Sequence, residues 1–407
     1  MKILVLNSGS SSQKSCLFDL PSPLPAEPPA PLWEAEMDWG GAEGVAELRV
    51  RSAIGERHTR HAVESRVAAI EQMLRSLWEG PRRAIQSPGQ IDAVGHRIVH
   101  GGREFRESAL ITPEILKAIY RLAEIAPLHN RAEVRGIRLV QQVLGPVPQF
   151  AVFDTAFHRD LPPEAAVYPG PYDWFEQGIQ RYGFHGINHR YCAERTAALL
   201  GKDLASLRLI TCHLGNGCSL AAIRGGRSID TTMGFTPLEG LMMGSRSGSV
   251  DPGILIHLMR KQGFTADRLD ALLNRESGLL GLSGLSSDMR EVLAAKAQGH
   301  ARSQLAFDVF IHRLRASIGA MLASLGGLDA LVFTAGIGEN SPEVRAAACE
   351  PFAYLGLRLD PARNAQPENG GDVAAADSAV RVLVLHAQED WAIARECERL
   401  LQPPSAG

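Results

Sequence analysis

Two arginines stand among small residues in this chain. Arg97 lies in Gly95-His96-Arg97-Ile98-Val99-His100-Gly101-Gly102, and Arg246 in Met243-Gly244-Ser245-Arg246-Ser247-Gly248. Glycine flanks let a guanidinium reach a recess, where its planar fork can engage a carboxylate or phosphate. A solvated loop charge is the plainer alternative. Tyr182-Gly183-Phe184-His185-Gly186 offers an aromatic wall beside a hydrogen-bonding imidazole. Asp154 ends the run Gln149-Phe150-Ala151-Val152-Phe153, and Glu389 opens the last helical pattern. Turn chemistry and the helix dipole would each explain one of these acids. Three glycine- and serine-rich turns follow short aliphatic runs: Asn7-Ser8-Gly9-Ser10-Ser11-Ser12, His213-Leu214-Gly215-Asn216-Gly217 and Gly336-Ile337-Gly338-Glu339-Asn340. Such turns present N–H groups and hydroxyls to phosphate oxygens. Singly, each is ordinary hairpin or capping chemistry. Together they point to a nucleotide gripped between two similar halves, and a nucleotide's Mg²⁺ needs carboxylates.

The elements that must position these residues read as follows. Ile3 to Leu6 and Ser15 to Leu20 form a hairpin, and Arg208 to His213 with Ser219 to Ile223 form a second that echoes it. The proline-dense segment 21–31 reads as a stiff surface loop. Ala62 to Trp78 has helical spacing, and Thr112-Pro113 starts a helix with a capping hydroxyl. Ile91 to His100 is a strand whose alternation separates Arg97 and Val99 from His96, Ile98 and His100. Ile311, Leu314, Ile318, Leu322 and Leu325 make one stripe of a long helix ended by Gly326-Gly327. Val382 to Leu385 is a late strand, and the tail from Gln402 is expected to fray. The fold class is α/β, with mixed sheets, helices on both faces and two lobes.

At 407 residues the chain favours two domains. Its formal net charge of -3 supplies no global field for nucleic acid or an anionic membrane. No P-loop string is present, nor a full dinucleotide-binding fingerprint behind a strand. The 6 cysteines lack C-x-x-C pairing and read as reduced thiols of a cytoplasmic protein. Cys212, His213 and Cys218 resemble metal ligands only superficially, since no fourth ligand is evident. Neither a signal peptide nor a membrane-spanning run of ~20 apolar residues is expected.

Further strings join these: Ala126-Pro127-Leu128-His129-Asn130, Phe153-Asp154-Thr155-Ala156-Phe157-His158 and Gly284-Leu285-Ser286-Ser287-Asp288-Met289-Arg290. In order along the chain, the set resembles the acetate kinases and their short-chain acyl-kinase relatives. The resemblance implies two ribonuclease-H-like lobes of the actin, sugar kinase and heat-shock ATPase superfamily, with an interlobe site. Expected boundaries are 1–154 plus about 388–407, and 155–387, the latter binding nucleotide and dimerising. It implies reversible phosphoryl transfer from ATP to acetate, giving ADP and acetyl phosphate, in a cytoplasmic homodimer. Asn7 and Glu389 would serve Mg²⁺, for which Mn²⁺ can substitute. Lys14, His213 to Gly217 (with Leu214, Gly215 and Asn216), Asp288, Met289, Arg290 and Gly336 to Asn340 (with Ile337, Gly338 and Glu339) would hold ATP. Arg97 would bind the substrate carboxylate, and Val99, Leu128, Phe184 and Pro237 would line its methyl pocket. Asp154 would act as acid/base or orienting carboxylate, and His185 and Arg246 would stabilise the transition state. Gln13, Ser15, Ile187-Asn188, Ser249 and Asp390 depart from the family pattern. A propionate or butyrate kinase of the same family, and a non-metabolic ATPase on the same fold, are the alternative readings.

Overall fold

The computed structural model describes all residues except 9–11, 39–44, 63, 64, 82, 125–129, 369 and 403–407. The chain divides into two units, Met1–Ala156 with Gln388–Gly407, and Phe157–Ala387.

The first unit is built on an eight-stranded sheet. Its strands are β1 (Lys2–Ser8), β2 (Ser12–Asp19), β3 (Trp33–Asp38), β4 (Val45–Ser52), β5 (Gly55–Ala62), β6 (Ala93–Ile98), β7 (Ala109–Leu110) and β8 (Gln149–Phe153). Their order is β5-β4-β3-β2-β1-β6-β8-β7. Strands β1 to β5 pair antiparallel in sequence, whereas β6 runs parallel to both β1 and β8. β3, β4 and β5 extend the predicted hairpin into a meander. The predicted helix 62–78 is shorter, Arg66–Arg75, because Ala62 still belongs to β5. The helix Asn130–Leu144 buries Val134, Ile137 and Val140 beneath the sheet. The terminal helix Glu389–Leu401 packs against β1 and β6. It comes so close that a Cβ on Gly95 would stand 2.5 Å from Ile393 Cγ2 and 2.6 Å from Cys397 Sγ.

The second unit has strands β9 (Arg208–Leu214), β10 (Cys218–Arg224), β11 (Arg227–Thr231), β12 (Ala330–Thr334), β13 (Gly371–Asp372) and β14 (Arg381–Leu385). Their order is β11-β10-β9-β12-β14-β13. Three antiparallel strands, β11-β10-β9, continue into parallel β12 and β14. The first unit repeats this pattern as β3-β2-β1-β6-β8, so the two hairpins noted in the sequence head equivalent sheets. The long helix Ala301–Leu325 buries Ile311, Leu314, Ile318 and Leu325 and ends at Gly326, whose φ of 67° is left-handed. The third glycine turn is corrected: Ala335–Asn340 is a short helix that follows β12 directly. Ser341 then caps the next helix, Pro342–Cys349, by accepting from the Val344 N–H. The fold class is α/β, as expected. All six cysteines are free and buried.

Candidate functional site

In the first unit, parallel pairing of β1, β6 and β8 brings Asn7, Arg97 and Asp154 to the carboxyl ends of three neighbouring strands. Open α/β sheets bind ligands at such ends. Arg97 donates from Nη2 to Asp154 Oδ2 at 2.7 Å and from Nη1 to Asn7 Oδ1 at 3.3 Å. The Asp154 side chain is 1% exposed and that of Arg97 13%, so the pair is largely withdrawn from water. Burial opposes the Arg97 charge, but the carboxylates of Asp154 and Glu389 outweigh it and raise its pKa above the ordinary value. The Asn7 amide turns its other end to the terminal helix, donating to Glu389 Oε2 and Asp390 Oδ1, both at 3.0 Å. Burial lifts the Asp390 carboxyl above its usual pKa, the Asn7 bond pulls it down, and neighbouring Glu389 adds to the rise.

Among the described residues, no group of three or more His, Cys, Asp or Glu is arranged as a metal cage. Mg²⁺ does not require one. It keeps several waters and takes one or two carboxylates. The adjacent carboxylates of Glu389 and Asp390 are hard oxygen donors that fit that demand, while the Asn7 amide turns its nitrogen to them and its oxygen to Arg97. Lys14 pairs across β2 with Asn7, is exposed, and stands 3.8 Å from Glu36 Oε1.

Val99 is buried and donates its N–H to Glu133 Oε1 at 3.1 Å. Leu128 lies outside the described residues, as do Gly9, Ser10 and Ser11 of the first glycine turn. The sequence did not single out Glu133, and it marked Asp390 only as a departure from the family pattern. Glu133 carried one signal: it falls on the apolar stripe with Val134, Ile137 and Val140.

In the second unit, the turn Gly215-Asn216-Gly217 between β9 and β10 is the meeting point. A Cβ on Gly217 would stand 3.4 Å from His185 Cε1 and 3.5 Å from Arg246 Nη1. A Cβ on Gly215 would stand 3.6 Å from Ala335 Cβ. His185 and Ala335 have φ of 56° and 63°, a left-handed conformation unusual outside glycine. Backbone strain of this kind concentrates at sites of function. The His185 ring stacks on that of His213, centroids 3.9 Å apart at 11°. A hydrogen-bonded chain supports the pair. His185 Nδ1 shares a bond with Ser219 Oγ at 2.9 Å, Ser219 with His189 Nε2 at 2.7 Å, and His189 Nδ1 with Thr211 Oγ1 at 2.7 Å. Burial, with His158 and His213 nearby, holds His189 well below the usual histidine pKa, and therefore neutral. Asn188 donates to His213 Nδ1 at 2.9 Å, so this departure from the family pattern orients a predicted site residue.

Arg246 donates from Nη1 to the Pro237 carbonyl at 2.9 Å, which brings two predicted residues together. Ser249 instead closes its own loop, accepting from the Gly240 N–H at 3.0 Å. Phe184 is buried, and its carbonyl shares a bond with His158 Nε2 at 3.1 Å. Asp288 caps the helix Met289–Ala297 and is ion-paired with Arg290. Glu339 accepts from the Ala387 N–H at 2.9 Å and, with Asn340 and His386, lines a cavity of about 220 Å³.

Comparison with known proteins comes down on one side. The profile of the acetokinase family matches residues 2–395. The acetate kinase of Gloeobacter violaceus is 62% identical over 403 residues, covering 98% of each chain. That of a Cyanothece species is 59% identical over 406 residues and covers both chains completely. Among solved structures, the acetate kinase of Porphyromonas gingivalis superposes with a TM-score of 0.90 at 38% identity, covering 98% of this chain and 100% of its own. A propionate kinase from Francisella tularensis gives 0.88 at 36% identity, covering 97% and 98%.

Proposed function

This chain belongs to the acetokinase family, and from that premise we propose how its residues divide the work. The activity is ATP-dependent phosphorylation of acetate. The observation that carries it is identity of 62% and 59% to acetate kinases over the whole chain.

Arg97 receives the substrate carboxylate. Its buried bond to Asp154 and its contact with Asn7 support this role, because they fix the guanidinium while its charge persists. We assign Val99, Leu128, Phe184 and Pro237 to the substrate methyl group. A carboxylate oxygen of acetate attacks the γ-phosphorus of ATP. The new O–P bond forms as the bond to the β,γ-bridging oxygen breaks, and ADP leaves with that electron pair. Acetate is already ionised at neutral pH, so no base need remove a proton. Asp154 therefore orients Arg97 and takes no proton itself.

Such a transfer depends on position and on positive charge at the equatorial oxygens. His185 and Arg246 meet those oxygens, and the turn from His213 to Gly217 carries the phosphates. Lys14, Asp288 to Arg290 and Gly336 to Asn340 complete the nucleotide's contacts. Asn7 and Glu389, with Asp390 beside them, would hold Mg²⁺. When bound, the ion neutralises phosphate charge and fixes the nucleotide's phosphates in one geometry.

The protein acts as a homodimer. The helix Pro252–Gln262 supports this, since it leaves Ile254, Ile256 and Met259 about half exposed. The test of function is acyl phosphate formation from acetate, propionate and butyrate with Mg-ATP, beside an Arg97→Ala control. A preference for propionate would move the substrate and leave the chemistry.

A further inference from the structure

Glu133 sits in the first turn of the helix Asn130–Leu144, 5% exposed. Its Oε1 accepts from the Val99 N–H at 3.1 Å, and its Oε2 is buried without a hydrogen-bond partner among the described residues. Val99 follows Arg97 by two residues, so one carboxyl group holds the backbone that carries both the pocket wall and the guanidinium. Acids almost never sit fully buried unless paired. Among the described residues, the charged groups that act on Glu133 are Arg97, from β6, and Asp154, from the end of β8. Arg131 and Arg135 of its own helix are exposed.

We propose that Glu133 is a positioning residue for the substrate carboxylate: Oε1 fixes the Val99 backbone, and the carboxyl, when ionised, competes with substrate for the charge of Arg97. This rests on Arg97 being the carboxylate-binding group.

Burial pushes the Glu133 carboxyl up to about 8, against the opposing pull of the Val99 N–H and Arg97. The group is then mostly protonated at neutral pH. In that form Oε1 still accepts from Val99, and among the described residues the anions acting on Arg97 are those of Asp154 and Glu389. Above that pH a second buried anion stands by the guanidinium, and acetate binding weakens. Acetate itself stays ionised across this range, so its own titration does not intrude.

The test is the acetate and ATP KM of the full-length enzyme between about pH 7 and about pH 9, for wild type, Glu133→Gln and Arg97→Ala. Glutamine keeps an acceptor for Val99 and removes the ionisation. The wild-type acetate KM should rise ~3- to 10-fold across the range, with the ATP KM unchanged, and Glu133→Gln should stay flat at the low value. A Glu133→Gln profile that tracks wild type, or a flat wild-type profile, overturns the proposal. An Arg97→Ala enzyme with unchanged acetate KM would overturn the underlying assignment instead. Glu133→Ala should raise the acetate KM at every pH, and rescue by glutamine but not alanine separates positioning from mere packing.

Discussion

The buried Arg97–Asp154 pair is where the site is most exposed to failure. Its two side chains are 13% and 1% accessible, and removing one partner leaves the other as an uncompensated buried charge. Asp154→Asn should therefore lower stability by ~3 kcal/mol. It should also cut kcat, because the guanidinium loses its fixed orientation. Thermal melting alongside steady-state kinetics would check both, and full stability with native kcat would contradict the pairing argument. Small-residue surroundings singled out Arg97, Arg246 and His185 as candidates, and a strand end singled out Asp154. Asp390, Asn188 and Glu133 were not readable as site residues, because what singles them out is a tertiary contact. Asn188 looks like any polar helix residue until His213, 25 positions away, is seen to accept its amide hydrogen.

At the scale of elements, local rules predicted the boundaries that local chemistry sets. Thr112 and Ser341 cap their helices as hydroxyls before proline do, and Gly326 ends the longest helix. In the meander β3 to β5 the alternation of Trp33, Ala35 and Met37, and of Ala46, Leu48 and Val50, with polar residues was a legible strand signal that went unused, whereas β5 is polar nearly throughout. Arg51 with Glu34 and Arg60 with Glu47 face solvent as cross-strand ion pairs. The third glycine turn was misread because glycine usually breaks helices. Here Gly338 lies buried against the Phe333 carbonyl region, and the helix begins straight from the strand. The contact between Gly95 and the terminal helix gives a direct check on how Glu389 and Asp390 are held. Gly95→Ala would drive a methyl group into Ile393 and Cys397, costing ~1–3 kcal/mol. It should also raise the Mg²⁺ concentration needed for half-maximal rate. A variant with wild-type melting and metal dependence would show that β6 and the helix can part without consequence.

For the molecule as a whole, burial of neutral histidines sets the acid limit. His96 and His158 are pushed down to about 4 and His189 is held well below its usual value, in each case chiefly by burial. A histidine whose folded pKa is depressed contributes stability above its unfolded pKa near 6.5, and that stability is lost as pH falls toward the folded value. Denaturant unfolding should thus weaken steeply from about pH 6.5 down to about pH 4, each histidine adding up to ~1.4 kcal/mol per pH unit. Replacing His96 by glutamine should flatten the slope, and an unchanged slope would point to carboxylates instead. The exposed apolar face of Pro252–Gln262 belongs to the same scale. Ile254→Asp with Met259→Asp should give a monomer by light scattering if that face is the dimer contact. A dimer that persists would move the interface elsewhere.

The central claim is that this chain transfers phosphoryl from ATP to acetate, with Arg97 holding the carboxylate. The most direct measurement is kcat/KM for acetate, propionate and butyrate with Mg-ATP, on wild type and Arg97→Ala. Losing one charge-assisted bond of the substrate is worth ~1.5–3 kcal/mol, about 10- to 150-fold. The account predicts a clear preference for acetate and a fall of at least that size in Arg97→Ala, mainly through the acetate KM. Phosphoryl transfer to none of the three acids, or an Arg97→Ala enzyme with native acetate kinetics, would contradict it.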